Sequence, residues 1–214
     1  MSCGCVSTVQ TTVYAELLPD VLPYVVGCPD EIAEFQIKQA AIELAKSSSV
    51  LTYRKTYPVW TGVTTYPIEV PEGYVFGRVV SLCYDGFSVI NEPFTNCSVC
   101  SCGGYTFHVS APACLVLSPA PAQDRENGFT VEIAVYPAQQ SASTDTDFIE
   151  RYRAVIAAGA LARLFQLPKT DWYSAPLARD HARMFTAGKT QARIDKMMNF
   201  STGAMLMKAH RRWL

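Results

Sequence analysis

The chain has 214 residues and carries eighteen Lys or Arg against nineteen Asp or Glu. This length is sufficient to bury one core, with room for a sizeable insertion. The balanced overall charge is typical of neither a nucleic-acid-binding protein nor an acidic tail. No run of eighteen apolar residues is present, and the N-terminus has neither a basic start nor an apolar core. We therefore expect no membrane span and no secretory signal.

The charges are distributed unevenly along the chain. From Arg151 onward there are twelve basic and three acidic residues, whereas residues 1–150 contain six basic and sixteen acidic ones. Such asymmetry indicates a molecule that meets two different neighbours, or copies that stack head to tail. Two elements with different solvated faces would produce the same pattern.

The N-terminal part is predicted to contain an arm and one helix. Residues 1–28 are mostly uncharged and contain few helix formers, which predicts an extended arm up to Gly27 with one short turn near Leu17-Leu18. Pro29 suits the first position of a helix, and Asp30 and Glu31 complement the positive end of its dipole. The apolar pattern then continues to residues 47–49, so helix one is predicted over 29–49. Its apolar residues occupy more than one face, which predicts burial from several sides.

The period of the pattern changes to two after residue 50, where Val, Tyr, Thr and Phe become frequent. This predicts a β-domain, with Asp85-Gly86 as a tight hairpin turn. The predicted strands are 51–59, 64–70, 75–84, 87–90, 105–110, 113–118 and 129–137.

Two further helices are predicted over 147–166 and 175–198, separated by a break with Pro168, a Ser174 cap and Pro176. The small residues 157–160 would let another helix approach closely, within the chain or between subunits, and we favour the first. On the last helix the predicted polar side comprises Arg179, Arg183, Lys189, Arg193 and Lys196. Its predicted core side comprises Leu177, Met184, Phe185 and Ile194.

The predicted fold class is α+β: a bundle of three main helices, N- and C-terminal, with an inserted antiparallel β-domain and an extended C-terminal tail. The corresponding divisions are an arm at 1–28, the bundle at 29–49 and 147–198, the β-domain at 50–140 and the tail at 199–214. The tail is basic but also carries large apolar side chains, which indicates docking on another chain. Folding back on its own bundle is the alternative. The predicted docking residues are Met205, Leu206, Met207, Lys208, Arg211, Arg212, Trp213 and Leu214.

Cysteine spacing gives a weak metal signal. Cys97, Cys100, Cys102 and Cys114 could hold zinc, with His108 as an alternative ligand, but they do not form two well-separated pairs. A disulfide or free thiols are the other interpretations. We predict no metal and no cofactor.

No catalytic arrangement is evident in the sequence. The three histidines include His181 next to Asp180, and adjacent residues on a helix point in different directions. Phosphate-loop, nucleophile-elbow and His-Glu-x-x-His motifs are lacking. The sequence therefore predicts that the protein is not an enzyme.

Two segments carry a family resemblance. One runs from Arg151-Tyr152-Arg153 through the small-residue helix to the break at 168–176, and the other is the Leu-Pro-rich stretch 17–29. Together they resemble the head-to-tail adaptor proteins of tailed bacteriophages, also called tail tubular protein A or head-tail connector proteins. The loop from Cys97 to Cys102 is a departure from that family.

The resemblance implies a virion structural protein at the head-tail interface, assembled in the host cytoplasm. Twelve copies would form a ring that binds the portal protein through the C-terminal docking residues and meets the tail nozzle and fibres on the other side. Arg193 and Lys196 would face the DNA channel or the portal, with sequence-independent contacts to phosphate. The alternative is a small zinc-stapled module that binds nucleic acid through its basic tail.

Overall fold

The computed structural model describes residues 11–84, 87–91, 105–110 and 113–198. This part of the chain contains four α-helices and three β-sheets. The helices are α1 (Leu18–Val21), α2 (Asp30–Ser48), α3 (Thr146–Leu164) and α4 (Ala175–Met197). Short 3-10 turns flank α1 at Tyr14–Leu17 and Leu22–Tyr24. None of the described helices is long and apolar enough to span a membrane.

Ten strands form the sheets. They are β1 (Thr11–Val13), β2 (Thr52–Val59), β3 (Thr65–Pro67), β4 (Tyr74–Tyr84), β5 (Phe87–Ser88), β6 (Ile90–Asn91), β7 (Thr106–Ser110), β8 (Cys114–Ser118), β9 (Arg125–Pro137) and β10 (Ser143–Asp145). One sheet pairs β1 with β10, and the two four-stranded sheets have the orders β2-β9-β4-β5 and β3-β8-β7-β6. All pairings are antiparallel except the short parallel pair of β6 and β7.

The predicted fold class, a bundle of three main helices with an inserted antiparallel β-domain, is wrong. The fold is mixed α/β with four helices and three sheets, and the described helices do not show a three-helix bundle pattern. α3 packs extensively on both α2 and α4, whereas α2 and α4 contact each other less. The helices therefore form a layer, and the turns around α1 contribute to the same core.

The described part of residues 1–28 has three short helical segments, whereas the sequence predicted an extended arm with one short turn near Leu17-Leu18. Tyr14, Leu17, Val21 and Val25 are fully buried in one core with α2 and α3. Their spacing of three or four residues matches one face of a helix. Prolines at the starts of α1 and of the second 3-10 turn divide the segment into single turns, which hides this period in the sequence.

Small residues bring α3 into close contact with its neighbours. A Cβ at Gly159 would lie 2.7 Å from the Phe185 ring and 2.9 Å from the Ala40 Cβ, and one at Gly188 would lie 2.4 Å from Val155. Each glycine thus receives a larger side chain from the facing helix. The small-residue segment of α3 is used within the chain, as the sequence analysis favoured.

The core side of α4 differs from the prediction. Of the four residues expected there, only Phe185 is buried, whereas Leu177, Met184 and Ile194 are exposed. The other buried positions are Ala178, Gly188 and Ala192. Because α3 approaches so closely, small side chains fill this interface and the larger aliphatic ones remain outside.

The two four-stranded sheets enclose a second core. Its buried side chains include Leu82, Val131 and Ile133 from one sheet and Phe107 and Leu115 from the other. The Phe129 ring stacks on Tyr57 with centroids 5.1 Å apart and meets the Tyr66 ring edge-on at the same distance. Tyr84 pairs with Phe87 across the predicted Asp85-Gly86 hairpin, whose turn residues lie outside the described part.

Candidate interaction surfaces

The two segments that carry the family resemblance lie against each other. Arg153 of α3 donates from Nε to Asp20 Oδ2 at 2.5 Å and from Nη2 to the Glu16 carbonyl at 2.8 Å. Val21 shares a core with Ile156 of α3. More than a hundred residues of chain separate these partners, so folding brings the two segments into one structural unit.

A carboxylate joins the three long helices. Glu43 of α2 accepts a hydrogen bond from Lys189 of α4 at 2.6 Å and another from Arg163 of α3. The same two cations lie near the Phe185 ring, with Lys189 Nζ 4.7 Å from its centroid. The pairing holds both cations over a buried aromatic side chain, which favours one arrangement of the helices.

A groove of about 580 Å³ lies between the turns around α1 and the helices α3 and α4. Ala157 and Ala158 of α3 line it together with His181 and the exposed side chains of Tyr24 and Met184. The His181 ring lies 5.5 Å from the Phe165 ring between centroids, and its Nδ1 has no hydrogen-bond partner among the described residues. Burial lowers the pKa of His181, against the opposing effect of Asp180. Charged side chains also line the groove, namely Asp20, Glu150, Arg151 and Arg153, so it combines apolar and ionic surface.

A basic cleft of about 530 Å³ lies where the end of α2 meets the sheet containing β4 and β9. Its cations are Lys46 of α2, Arg78 of β4 and Arg193 of α4, and among the described residues no carboxylate side chain lines it. Lys46 Nζ lies 4.4 Å from the centroid of the Tyr136 ring. Such a cleft could hold a phosphate by charge, without reading a base sequence.

The two residues predicted to face DNA differ in their surroundings. Arg193 donates to the Ser47 carbonyl at 3.1 Å and lines the basic cleft. Lys196 donates to Glu132 of β9 at 2.7 Å, and its side chain is only 18% exposed. Its charge is thus paired within the chain. The assignment of these residues to a channel stays a prediction.

Other predicted sites lie outside the described residues. These are Cys97, Cys100 and Cys102, and the docking residues Met205, Leu206, Met207, Lys208, Arg211, Arg212, Trp213 and Leu214. Cys114 is described as a partly buried free thiol in β8. Within the described ranges, no three His, Cys, Asp or Glu residues are grouped so that they could hold a metal ion.

No protein-family model matches the chain, and no curated protein matches it. The family resemblance therefore depends on the residues of the two segments alone.

The groove, the Glu43 cluster and two cations of the basic cleft could not be predicted from the sequence. Lys46 and Arg78 belong to separate elements, so their spacing along the chain gave no signal. Arg153 belongs to one of the two resemblance segments, but no residue near it in the sequence indicated that Asp20 would be its partner. One sequence signal pointed to this contact. The apolar residues 14, 17, 21 and 25 follow a helical spacing, which indicates that Asp20 lies on a helical turn packed against another element.

Proposed function

We propose that this chain is a phage virion structural protein, a head-to-tail adaptor that forms a ring between the portal and the tail. The observation that supports it best is the contact between the two resemblance segments, made by Arg153 with Asp20 and by their shared core. A chance match of two unrelated stretches gives no reason for them to pack together. Twelve copies are the number that the resemblance implies.

In this proposal the ring has three kinds of neighbour. The C-terminal residues from Met205 onward attach to the portal, using apolar side chains as anchors and basic ones for orientation. The tail nozzle and fibres bind on the other side. The basic cleft with Arg193 provides sequence-independent contact to DNA phosphate or to an acidic portal surface.

Removal of residues 205–214 tests the portal attachment. We expect the truncated protein to keep its helical circular dichroism and its unfolding midpoint, because both described cores lie within residues 14–192. We expect it to lose co-sedimentation with the portal protein. Cryo-electron microscopy of the full-length protein mixed with portal should show a closed ring under the portal.

A matched variant distinguishes the contribution of the apolar side chains of the tail from that of its basic side chains. Serine at Met205, Leu206, Met207, Trp213 and Leu214 keeps the basic side chains of the tail and should also lose attachment. Attachment that survives the truncation would contradict docking through the tail. Density elsewhere on the particle would contradict the adaptor proposal itself.

A further inference from the structure

The face of α2 that points away from its core carries large apolar side chains. Phe35 is 53% exposed and Ile32 is 41% exposed, whereas Ala33 and Ile37 on the other side are fully buried. At 3.6 residues per turn, Phe35 lies nearly opposite Ala33. An exposed phenylalanine beside an isoleucine on one helix face is costly to leave in water, which indicates a partner.

Asp30 and Glu31 lie at the start of α2, and Glu34 precedes Phe35. Lys38, one turn after Phe35, is on the same side of the helix, and its Nζ lies 5.9 Å from the centroid of the Tyr14 ring. We define the α2 face as Glu31, Ile32, Glu34 and Phe35. Glu31 lies one turn before Phe35, and Glu34 is next to it. Within the described part of the chain, none of the three carboxylates forms an ion pair. Asp30 and Glu31 complement the positive end of α2, but Glu34 lies beyond the first turn.

The outer side of α4 has a shallow depression of about 460 Å³. It is lined by Ala182, Arg183, Thr186, Ala187 and Thr190. The hydroxyl of Thr186 donates to the Ala182 carbonyl at 2.9 Å, and that of Thr190 donates to the Thr186 carbonyl at 3.1 Å. Since both hydroxyls are already bonded within the helix, an apolar group can cover the depression without leaving them unsatisfied.

The rim of the depression is basic. The Arg183 side chain is 81% exposed and lies 3.6 Å from Asp180, a loose pair, and Arg179 lies one turn earlier. Met184, the next residue, lines the groove between α1, α3 and α4 instead. We define the α4 face as the depression together with Arg179 and Arg183.

We propose that the α2 face of one copy binds the α4 face of the next, with Phe35 in the depression and Glu31 and Glu34 near Arg183 and Arg179. A second copy is the occupant because the α2 face exposes apolar and acidic side chains, the α4 face offers a depression bordered by arginines, and both faces lie on the same chain. The contact joins unlike faces, so every copy uses both and assembly proceeds head to tail. This deepens the proposed ring function and rests on it, since it names the contact between neighbouring subunits.

Two single-face variants of the full chain test the contact. Phe35→Ser removes the inserted side chain, and Ala187→Glu fills the depression and repels the acidic face. Sedimentation velocity from micromolar to millimolar concentration should show self-association of the wild type that is at least about tenfold weaker in either variant, because burying a phenyl group is worth more than one tenfold step. Trp60→Ala, which removes an exposed aromatic side chain from the β-rich part, should leave association unchanged.

Mixing the two variants identifies the geometry. Each still has one intact face, so the mixture should form a one-to-one complex and stop there, while neither variant associates alone. Continued growth of the mixture, or no complex, would overturn the proposal. A wild type that stays monomeric at all concentrations would overturn the proposal too. So would a dimer in which the same face of both copies meets, which both variants would abolish and mixing them would not restore.

These measurements contain no portal, so they separate the contact from the proposed function. If the two variants form a one-to-one complex but the wild type does not attach to portal, the contact between copies is retained and the adaptor proposal is rejected. Portal-bound rings that form equally well with Phe35→Ser would retain the adaptor and reject the contact.

Discussion

At the scale of single residues, Gly188 and Gly159 determine how closely the long helices approach. The Val155 side chain of α3 packs against Gly188 of α4, and the Phe185 ring of α4 packs against Gly159 of α3. A glycine inside a helix usually costs about 1 kcal/mol relative to alanine. Because both glycines face larger side chains, the close packing of the helices offsets this loss of helix stability.

Gly188→Ala should therefore destabilise the protein although alanine favours a helix. The new methyl group would lie 2.4 to 3.0 Å from three Val155 atoms, and overpacking of this kind costs about 1–3 kcal/mol. Urea unfolding measures the change. The double variant with Val155→Ala makes room and should be less destabilised than the sum of the two single variants. Additive losses would mean that the two residues do not compete for space.

At the scale of elements, α4 is connected to β9 through one ion pair. Lys196 donates to Glu132 at 2.7 Å, and Ser81 of β4 donates to the same carboxylate at 3.4 Å. Burial alone would raise the pKa of Glu132, but the hydrogen bond and charge of Lys196, together with bonds from Thr52 and Ser81, lower it overall. The helical layer and the sheet are thus joined by a group that titrates in acid.

The sign of the resulting pH dependence follows from the lowered pKa. Glu132 stabilises the fold fully above its ordinary pKa of 4.5, and this contribution is lost as the pH falls through the lower folded-state value. Glu132→Gln should lower the melting temperature at pH 7, and the difference from the wild type should shrink between about pH 5 and pH 3. Thermal melts across this range measure it. Glu126→Gln, at an exposed position of β9, is the matched control, and an equal pH profile for both variants would contradict the argument.

Most elements could be predicted from the sequence, but their assembly could not. The predicted helix at 175–198 matches Ala175–Met197, and the predicted strand at 75–84 matches Tyr74–Tyr84, because period and end signals are local. Only one short turn was predicted near Leu17-Leu18, and the full extent of the turns around α1 was missed because prolines interrupt their pattern. The exposed side of α4 was assigned to the core because large apolar residues were expected inside, whereas close packing selected small ones.

The candidate surfaces were less predictable than the elements. The basic cleft and the Glu43 cluster combine residues from three elements each, and no local pattern links them. From the sequence, Asp30 and Glu31 at the start of α2 were explained only by their favourable interaction with the helix dipole. Only the folded chain shows that Phe35 is exposed among these carboxylates.

At the scale of the whole molecule, folding cancels much of the charge asymmetry seen in the sequence. Four cations of the basic C-terminal part pair with three carboxylates of the acidic part. The pairs are Arg153 with Asp20, Arg163 and Lys189 with Glu43, and Lys196 with Glu132. The alternative of two merely solvated faces therefore fails for these residues, since their charges hold the layers of one molecule together.

The charges that remain on the α2 and α4 faces should respond to salt differently from these internal pairs. Screening shortens the electrostatic range from about 10 Å at 0.1 M to about 3 Å at 1 M, and it acts most strongly on exposed charges. Raising NaCl from about 0.05 to 0.5 M should weaken self-association about two- to fivefold, the range typical of one or two exposed ion pairs. The unfolding free energy should change less, because the internal pairs are partly buried.

A charge-neutral variant, Glu31→Gln with Arg183→Gln, serves as the control for this prediction. It keeps Phe35 and the rest of the depression, so it should still associate, more weakly than the wild type. It should lose part of the salt dependence, because Glu34 and Arg179 remain charged. Sedimentation velocity at the two salt concentrations, with urea unfolding in parallel, measures both quantities. If the variant retained the wild-type salt dependence, the attraction between copies would have to come from other charges. If stability fell together with association, the internal pairs would be the groups that salt screens, and the two faces would have no separate role.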